Sequence, residues 1–376
     1  MANLFDYISW RGDLDFIQSP LNPVDYVILS QISYLPLDGI VPGPDEEGSI
    51  SLHLALKTLI KMAQAVPKNG ESYKQLFTFR EDPEFISVLE SSNRFRNCQL
   101  LGFVNHVDTE REVQFSAVCI YTGDDSCSVI FRGTDTSFVG WKEDFNMAFR
   151  EVIPSQLEAV KYLEKMAAMI NGPLRLGGHS KGGNLAVYAA SFCSKKVQKR
   201  IIDIFSNDAP GFYEKIVKSE GFLAIKNLIH AYVPQSSVVG MILEHGTDYS
   251  VIKSSEIGLM QHSLFSWEVK HNDLIHVEEV TLSSYFIKKT LREWLGSLDI
   301  EQRERFIEAI YGIFSTSNVK SIHELERSWI ISLGRIIRSM GTINMSTRKF
   351  ILNTIAELFR SAGRNIDTLF KKKNNV

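Results

Sequence analysis

Proline is scarce, with 11 in 376 residues, and no repeated or low-complexity stretch interrupts the chain. That scarcity, with 11% aromatic residues, argues against disorder. Charge of one sign is also lacking. Lys and Arg number 41 against 44 Asp and Glu, for a net charge of −3. No basic stripe of the kind that binds nucleic acid is expected. No run of about 18 uncharged apolar residues occurs, so no membrane span is expected. Met1 to Gly12 carries Asp6 and has no apolar h-region, which speaks against a secretory signal. Cysteine is sparse: Cys98, Cys119, Cys127 and Cys193 form neither a C-x-x-C pair nor a zinc-finger pattern. These absences together suggest a cytoplasmic protein with reduced thiols and no metal.

What is present is apolar mass. At 44% hydrophobic, the chain can bury one large core or two smaller ones. Residues 1–95 read as a helical N-terminal region. Val24 to Tyr34 and Ile50 to Val66 exceed strand length, Pro83 opens a helical segment, and a loop carries Pro42 to Glu47. From residue 96 to 282 the texture changes. Leu100 to Val104, Val113 to Tyr121 and Ser128 to Phe131 read as consecutive antiparallel strands. Strands then alternate with helices: Leu157 to Ile170 helical, Leu174 to Leu176 a strand, Asn184 to Cys193 helical, Ile201 to Phe205 and Leu228 to Val233 strands, with a helical stretch around Phe212 to Ile225. Such alternation predicts an α/β fold with a mostly parallel central sheet, helices on both faces, and the early antiparallel strands at one edge. Residues 283–376 read as a helical C-terminal extension. There Phe350, Ile351, Ile355, Leu358, Phe359, Ile366, Leu369 and Phe370 recur at three- and four-residue steps. Such a face serves as core or as a partner surface. With Lys371 to Lys373 behind it, it also suits peripheral contact with an anionic membrane.

The chemistry concentrates in Leu174-Arg175-Leu176-Gly177-Gly178-His179-Ser180-Lys181-Gly182-Gly183-Asn184-Leu185-Ala186. Gly178, Ser180 and Gly182 make G-x-S-x-G between an apolar strand and a helix. A serine held on so tight a turn needs small residues two positions to either side. The motif alone is weak, because glycine and serine are common; the flanking strand and helix sharpen it. The Lys181 amide would then point into the site from the helix N-terminus as an oxyanion donor. His179 reads as structural, its side chain directed away from that of Ser180. Upstream, Val129-Ile130-Phe131-Arg132-Gly133-Thr134 ends a strand where Thr134 can supply the second oxyanion donor, and Trp141 and Asp144 follow on a short helix.

Phe131-Arg132-Gly133-Thr134, the Trp141/Asp144 helix and Gly178-His179-Ser180 with Gly182-Gly183-Asn184-Leu185-Ala186 resemble the class 3 lipases. The chain is similar still to an uncharacterised bacterial family with an α/β-hydrolase fold related to those lipases. Tyr7, Trp10-Arg11-Gly12-Asp13, Val24-Asp25, Asn207 to Phe212, Val233 to Met241 and Gln261 to Trp267 carry that likeness. The resemblance implies an α/β-hydrolase fold and a serine hydrolase of lipase or esterase type. Its substrate would be a small-molecule or lipid acyl ester, and it would need no cofactor.

The acid departs from the lipase pattern, because Ser236 and Ser237 stand in the segment that aligns with its usual position. Asp208, after the strand that follows the nucleophile, is the leading candidate, as in pancreatic-type lipases. Asp203 lies within that strand and Asp248 is a rival. For the base, His230 lies in a strand, which leaves His245, His262, His271 and His276. His262 leads because Leu264-Phe265-Ser266-Trp267 can anchor its loop. The expected set is thus Ser180, Asp208 and His262, with Thr134 and Lys181 as oxyanion donors. The competing reading is a non-catalytic module on the same fold, used for binding or regulation.

Overall fold

The computed structural model describes residues 2–67, 70, 73, 76–135, 137–147, 150–316 and 345–366. Among them nine strands join one sheet. In chain order these are β1 (Ile50–Ser51), β2 (Gln99–Asp108), β3 (Val113–Tyr121), β4 (Cys127–Phe131), β5 (Leu174–His179), β6 (Ile201–Asn207), β7 (Ile229–Pro234) and β8 (Tyr249–Ile252). After a small hairpin of β9 (Val269–Lys270) and β10 (Asp273–Leu274) comes the last, β11 (His276–Val277). They lie in the order β1-β2-β3-β4-β5-β6-β7-β8-β11. Pairing is parallel from β4 through β8. It is antiparallel from β1 to β4 and again between β8 and β11. The sheet is therefore mixed, with a parallel centre and antiparallel strands at both edges rather than at one. Sequence periodicity does not disclose β11, because two residues carry no alternation to read.

The alternation of the strands sorts two cores onto opposite faces. Val118 and Ile120 of β3, Ile130 of β4 and Phe205 of β6 face the N-terminal helices. These are α1 (Leu4–Arg11), α2 (Pro23–Ile32), α3 (Leu52–Gln64), α4 (Asp82–Ser91) and α5 (Asn93–Arg96). Ala117 and Cys119 of β3, Val129 of β4 and Ile204 of β6 face the other way. Between β4 and β5 lie α6 (Phe138–Asn146) and α7 (Pro154–Met169), and that core is shared by α7, α8 (Lys181–Phe192), α9 (Lys195–Gln198), α10 (Glu214–Val217) and α11 (Glu220–Ile225). With both faces covered, β3 is buried from Val113 to Ile120 and β4 along its whole length, the polar Gln114, Ser116 and Ser128 included. All four cysteines are buried and free.

The N-terminal region is bolted down by charge as well as by apolar contact. Asn22 caps α2 with Pro23 in its first turn, and Asp25 completes a capping box. The same Asp25 receives both arms of Arg94, at 2.8 and 2.6 Å, and the Tyr7 hydroxyl at 2.9 Å. Arg94 spends its remaining donors on the carbonyls of Leu14, Asp15, Ser19 and Pro20. A buried ion pair is tolerable when every donor is satisfied in this way.

The C-terminal helices are α12 (Leu282–Gly296), α13 (Ile300–Thr316) and α14 (Met345–Asn365). α14 docks on α12 through Ile351, Thr354, Ser361 and Asn365, with the Trp294 indole donating to the Thr354 carbonyl at 3.0 Å. Of the apolar stripe expected there, Ile351 is buried while Phe359 and Ile366 are exposed. Leu369, Phe370 and Lys371 to Lys373 lie outside the described residues. Among the described residues no helix is long and apolar enough to cross a membrane, and no cluster of His, Cys, Asp and Glu is suited to a metal.

Candidate active site

Ser180 stands between the end of β5 and the start of α8, with φ 57° and ψ −133°. Non-glycine residues seldom occupy that region, and such strain persists only where neighbours over-determine it. Here the glycines make the turn possible. A Cβ on Gly182 would sit 2.1 Å from the Phe131 carbonyl, and one on Gly178 2.4 Å from the same oxygen and from the Gly182 carbonyl carbon. The Ser180 amide donates to the Asn207 carbonyl at 2.9 Å, which fixes the turn against β6. No side chain caps α8, so its first amides, Lys181's among them, face the turn without a side-chain acceptor.

The Lys181 side chain turns inward. Its ammonium, fully buried, donates to Glu143 at 2.7 Å and to the Gln114 carbonyl and side-chain oxygen, each at 2.8 Å. Glu143 in turn accepts from the Gln114 amide and from the Ser155 amide and hydroxyl. This network ties the start of α8 to β3, α6 and α7.

Beyond β4, Gly133 lies directly against the turn, where an added Cβ would come 2.6 Å from the His179 carbonyl and 3.1 Å from Ser180 Cβ. Thr134 follows, and its hydroxyl donates to Asp144 on α6 at 2.6 Å. Burial pushes the Asp144 carboxyl up to about 6, against the lowering influence of Lys181 and of the Thr134 hydrogen bond.

Asp208 sits just past β6 with φ 44°, buried, its amide donating to the Tyr232 carbonyl at 2.7 Å. Its Oδ2 meets His262 Nδ1 at 2.6 Å. Its Oδ1 accepts from the Ser237 hydroxyl at 2.5 Å and the Gly240 amide at 3.2 Å. Gly240 has to be glycine for this approach, since a Cβ there would stand 2.5 Å from Asp208 Oδ1. Asn184 holds the loop after Asp208, donating to the carbonyls of Pro210 and Gly211 at 3.0 Å each.

His262 closes a short 3-10 turn, Gly258–His262. Its loop is anchored by Leu264, Phe265 and Trp267, all buried, and the Trp267 indole donates to the Gln261 carbonyl at 3.0 Å. Gln261 also accepts from the Ser236 amide at 2.7 Å, joining this loop to the Val233 to Gly240 segment. The His262 side chain is 28% exposed, which leaves it open to a substrate. No hydrogen bond joins the Ser180 hydroxyl to His262 among the described residues; the bond given for His262 Nδ1 is the one to Asp208.

The rivals lie elsewhere. Asp203 pairs with Arg175 at 3.2 Å and His230 at 3.3 Å. Asp248 is exposed. His245 donates to the Gly240 carbonyl at 2.5 Å, and burial lowers its pKa. His271 and His276 are exposed, the latter 3.5 Å from Asp273. Tyr34, Glu143, Gly240 and Gln261 escape sequence reasoning as parts of the site. Ser237 and Gly240 do fall in a segment that carries the family likeness, whereas nothing in the sequence signals Tyr34. His179, read as structural, packs its ring 4.4 Å from the ring of His262.

A family model described as Mbeg1-like matches residues 89–312. No curated protein matches the chain. Among solved structures, the Rhizomucor miehei lipase propeptide complex aligns at 10% identity over 62% of this chain and 82% of its own, with a TM-score of 0.33. The M37 lipase aligns at 15% identity over 58% of this chain and 69% of its own, with a TM-score of 0.35.

Proposed function

We propose that this chain, which belongs to the Mbeg1-like family, is a serine hydrolase on an α/β-hydrolase scaffold, cleaving an acyl ester through an acyl-enzyme on Ser180. The observation that carries the reading is the 2.6 Å bond between His262 Nδ1 and a buried Asp208, beside a serine on a strained strand-to-helix turn.

In this reading Ser180 Oγ attacks the ester carbonyl while His262 Nε2 takes its proton. Asp208 fixes the imidazole tautomer and stabilises the imidazolium that forms. The amides of Lys181 and Thr134 receive the oxyanion, and the Thr134–Asp144 hydrogen bond holds the second of them in place. Collapse of the tetrahedral adduct expels the alcohol, which takes the proton from His262. Water then enters, loses a proton to His262, and releases the acid and Ser180. No cofactor takes part. Ser237 and Gly240 account for the departure from the lipase pattern, since the segment that would hold the acid instead supplies two donors to it.

Turnover of p-nitrophenyl esters of graded chain length tests this. Wild-type protein is expected to hydrolyse at least one of them, and Ser180→Ala to lose about 10⁴-fold or more in kcat. Folded wild-type protein inert toward every ester would instead favour a non-catalytic binding module.

A further inference from the structure

Tyr34 belongs to the N-terminal helical region, yet its hydroxyl lies at the heart of the candidate site. A Cβ on Gly133 would meet it at 2.1 Å and Ser180 Cβ at 3.1 Å, so the phenol oxygen and the Ser180 side chain converge on one point. The hydroxyl is 3.0 Å from His179 Nδ1 and packs directly against Gly133 at the end of β4. On its other side the His179 ring places Nε2 2.8 Å from the His262 carbonyl.

The direction of each bond follows from chemistry. A carbonyl can only accept, so His179 Nε2 carries the proton. Burial and the neighbouring His262 hold the His179 pKa well below the usual histidine range, so the ring is neutral and Nδ1 is an acceptor. Tyr34, whose pKa burial raises, keeps its proton and donates it to Nδ1. One ordered chain therefore runs from the Tyr34 hydroxyl, packed against Gly133, to the His179 ring and to the His262 carbonyl.

We propose that Tyr34 and His179 are positioning residues that lock the base loop and the oxyanion-side end of β4 into one register around Ser180. This rests on the roles proposed for Ser180 and His262. The geometry links the three segments that the chemistry needs and that the sequence keeps far apart. It also makes the N-terminal region part of the active site rather than a cover for it.

Three variants test the assignment: Tyr34→Phe, which deletes one oxygen; His179→Phe, which deletes both ring contacts; and His179→Gln, which keeps a donor for the His262 carbonyl. Two signals are read on each, beside its thermal melt. One is the rate constant for inactivation by a fluorophosphonate, with kcat and KM for an ester. The other is the exchange protection of the His262 Nδ1 proton by NMR of histidine-labelled protein. Misplacing a reacting group by about 1 Å costs on the order of 10²-fold. The expected losses are about tenfold in kcat for Tyr34→Phe and about 10²-fold for His179→Phe, with KM little changed. Partial rescue is expected in His179→Gln, and faster Nδ1 proton exchange in His179→Phe without a matching loss of Tm. Wild-type rates and wild-type proton protection in Tyr34→Phe and His179→Phe would overturn the proposal. So would losses that merely track Tm and are equal in His179→Gln and His179→Phe. Should wild-type protein itself resist the probe, the hydrolase reading fails, and the His262 proton alone decides the positioning role.

Discussion

Asp208 shows how much one residue's surroundings decide. It lies at a positive φ, gives one oxygen to His262 and the other to Ser237 and Gly240. Asp208→Asn is expected to keep the fold and lose about 10²–10⁴-fold in kcat, because an amide favours the wrong imidazole tautomer. Ser237→Ala should cost less, about tenfold, since a hydrogen bond to a charged group is worth roughly 1.5–3 kcal/mol and only part of that bears on the transition state. Asp203→Asn and Asp248→Asn should leave turnover near wild type. Steady-state kinetics on the four variants checks this. Asp144 gives a pH signature. Its carboxyl is raised from 3.8 to about 6 by burial, so between those values the folded protein holds a proton that the unfolded chain releases. Asp144 therefore contributes stability below pH 3.8 that is lost as the pH rises through about 6. Denaturant titrations should show wild-type stability falling across that window relative to Asp144→Asn, whose curve lacks this component.

At the scale of elements, strand-to-helix order was legible and the joints between elements were not. The mainly apolar strands β3 and β4 and the flanked G-x-S-x-G could be read directly, because burial on both sheet faces and a tight turn each favour particular residue types. The Leu264 to Trp267 run was correctly read as an anchor for a loop, although its partner, Gln261, was not. Lys181 was read for its amide alone. A lysine next to a serine gives no sign that its side chain will bury itself against Glu143, since the two are distant in sequence and meet only once α6 packs against β3. The α14 stripe misled in part, because the buried contacts run through Thr354, Ser361 and Asn365 as well as Ile351. The Lys181–Glu143 pair carries a stability prediction. Glu143→Gln leaves a buried ammonium without its counter-charge and should cost about 3–5 kcal/mol. Lys181→Met with Glu143→Leu removes both charges and should recover much of that loss in chemical denaturation. A double variant as unstable as the sum of its singles would show that the pair is not the relevant unit.

For the whole molecule, two cores on opposite faces of one sheet leave the functional loops to meet at one place, and the terminal regions pack around them. The N-terminal region enters the site through Tyr34, and α12 reaches its rim, the Ser284 hydroxyl donating to the Ser237 carbonyl, whereas α14 docks on α12. Removal of residues 345–376 should therefore lower Tm by a few degrees, at about 2–4 °C per kcal/mol for a chain of this size. It should leave ester turnover intact below the transition. Calorimetry and turnover at low temperature test both halves, and loss of vesicle binding with an unchanged Tm would point instead to a membrane-docking helix.

The central claim is that Ser180 is a nucleophile activated by its surroundings, and intact-protein mass spectrometry after treatment with a fluorophosphonate tests it most directly. The account predicts a single adduct, mapped to Ser180, absent from Ser180→Ala and formed at least tenfold more slowly in Asp208→Asn. Folded wild-type protein that stays unmodified at high probe concentration, or an adduct on another serine that persists in Ser180→Ala, would contradict it.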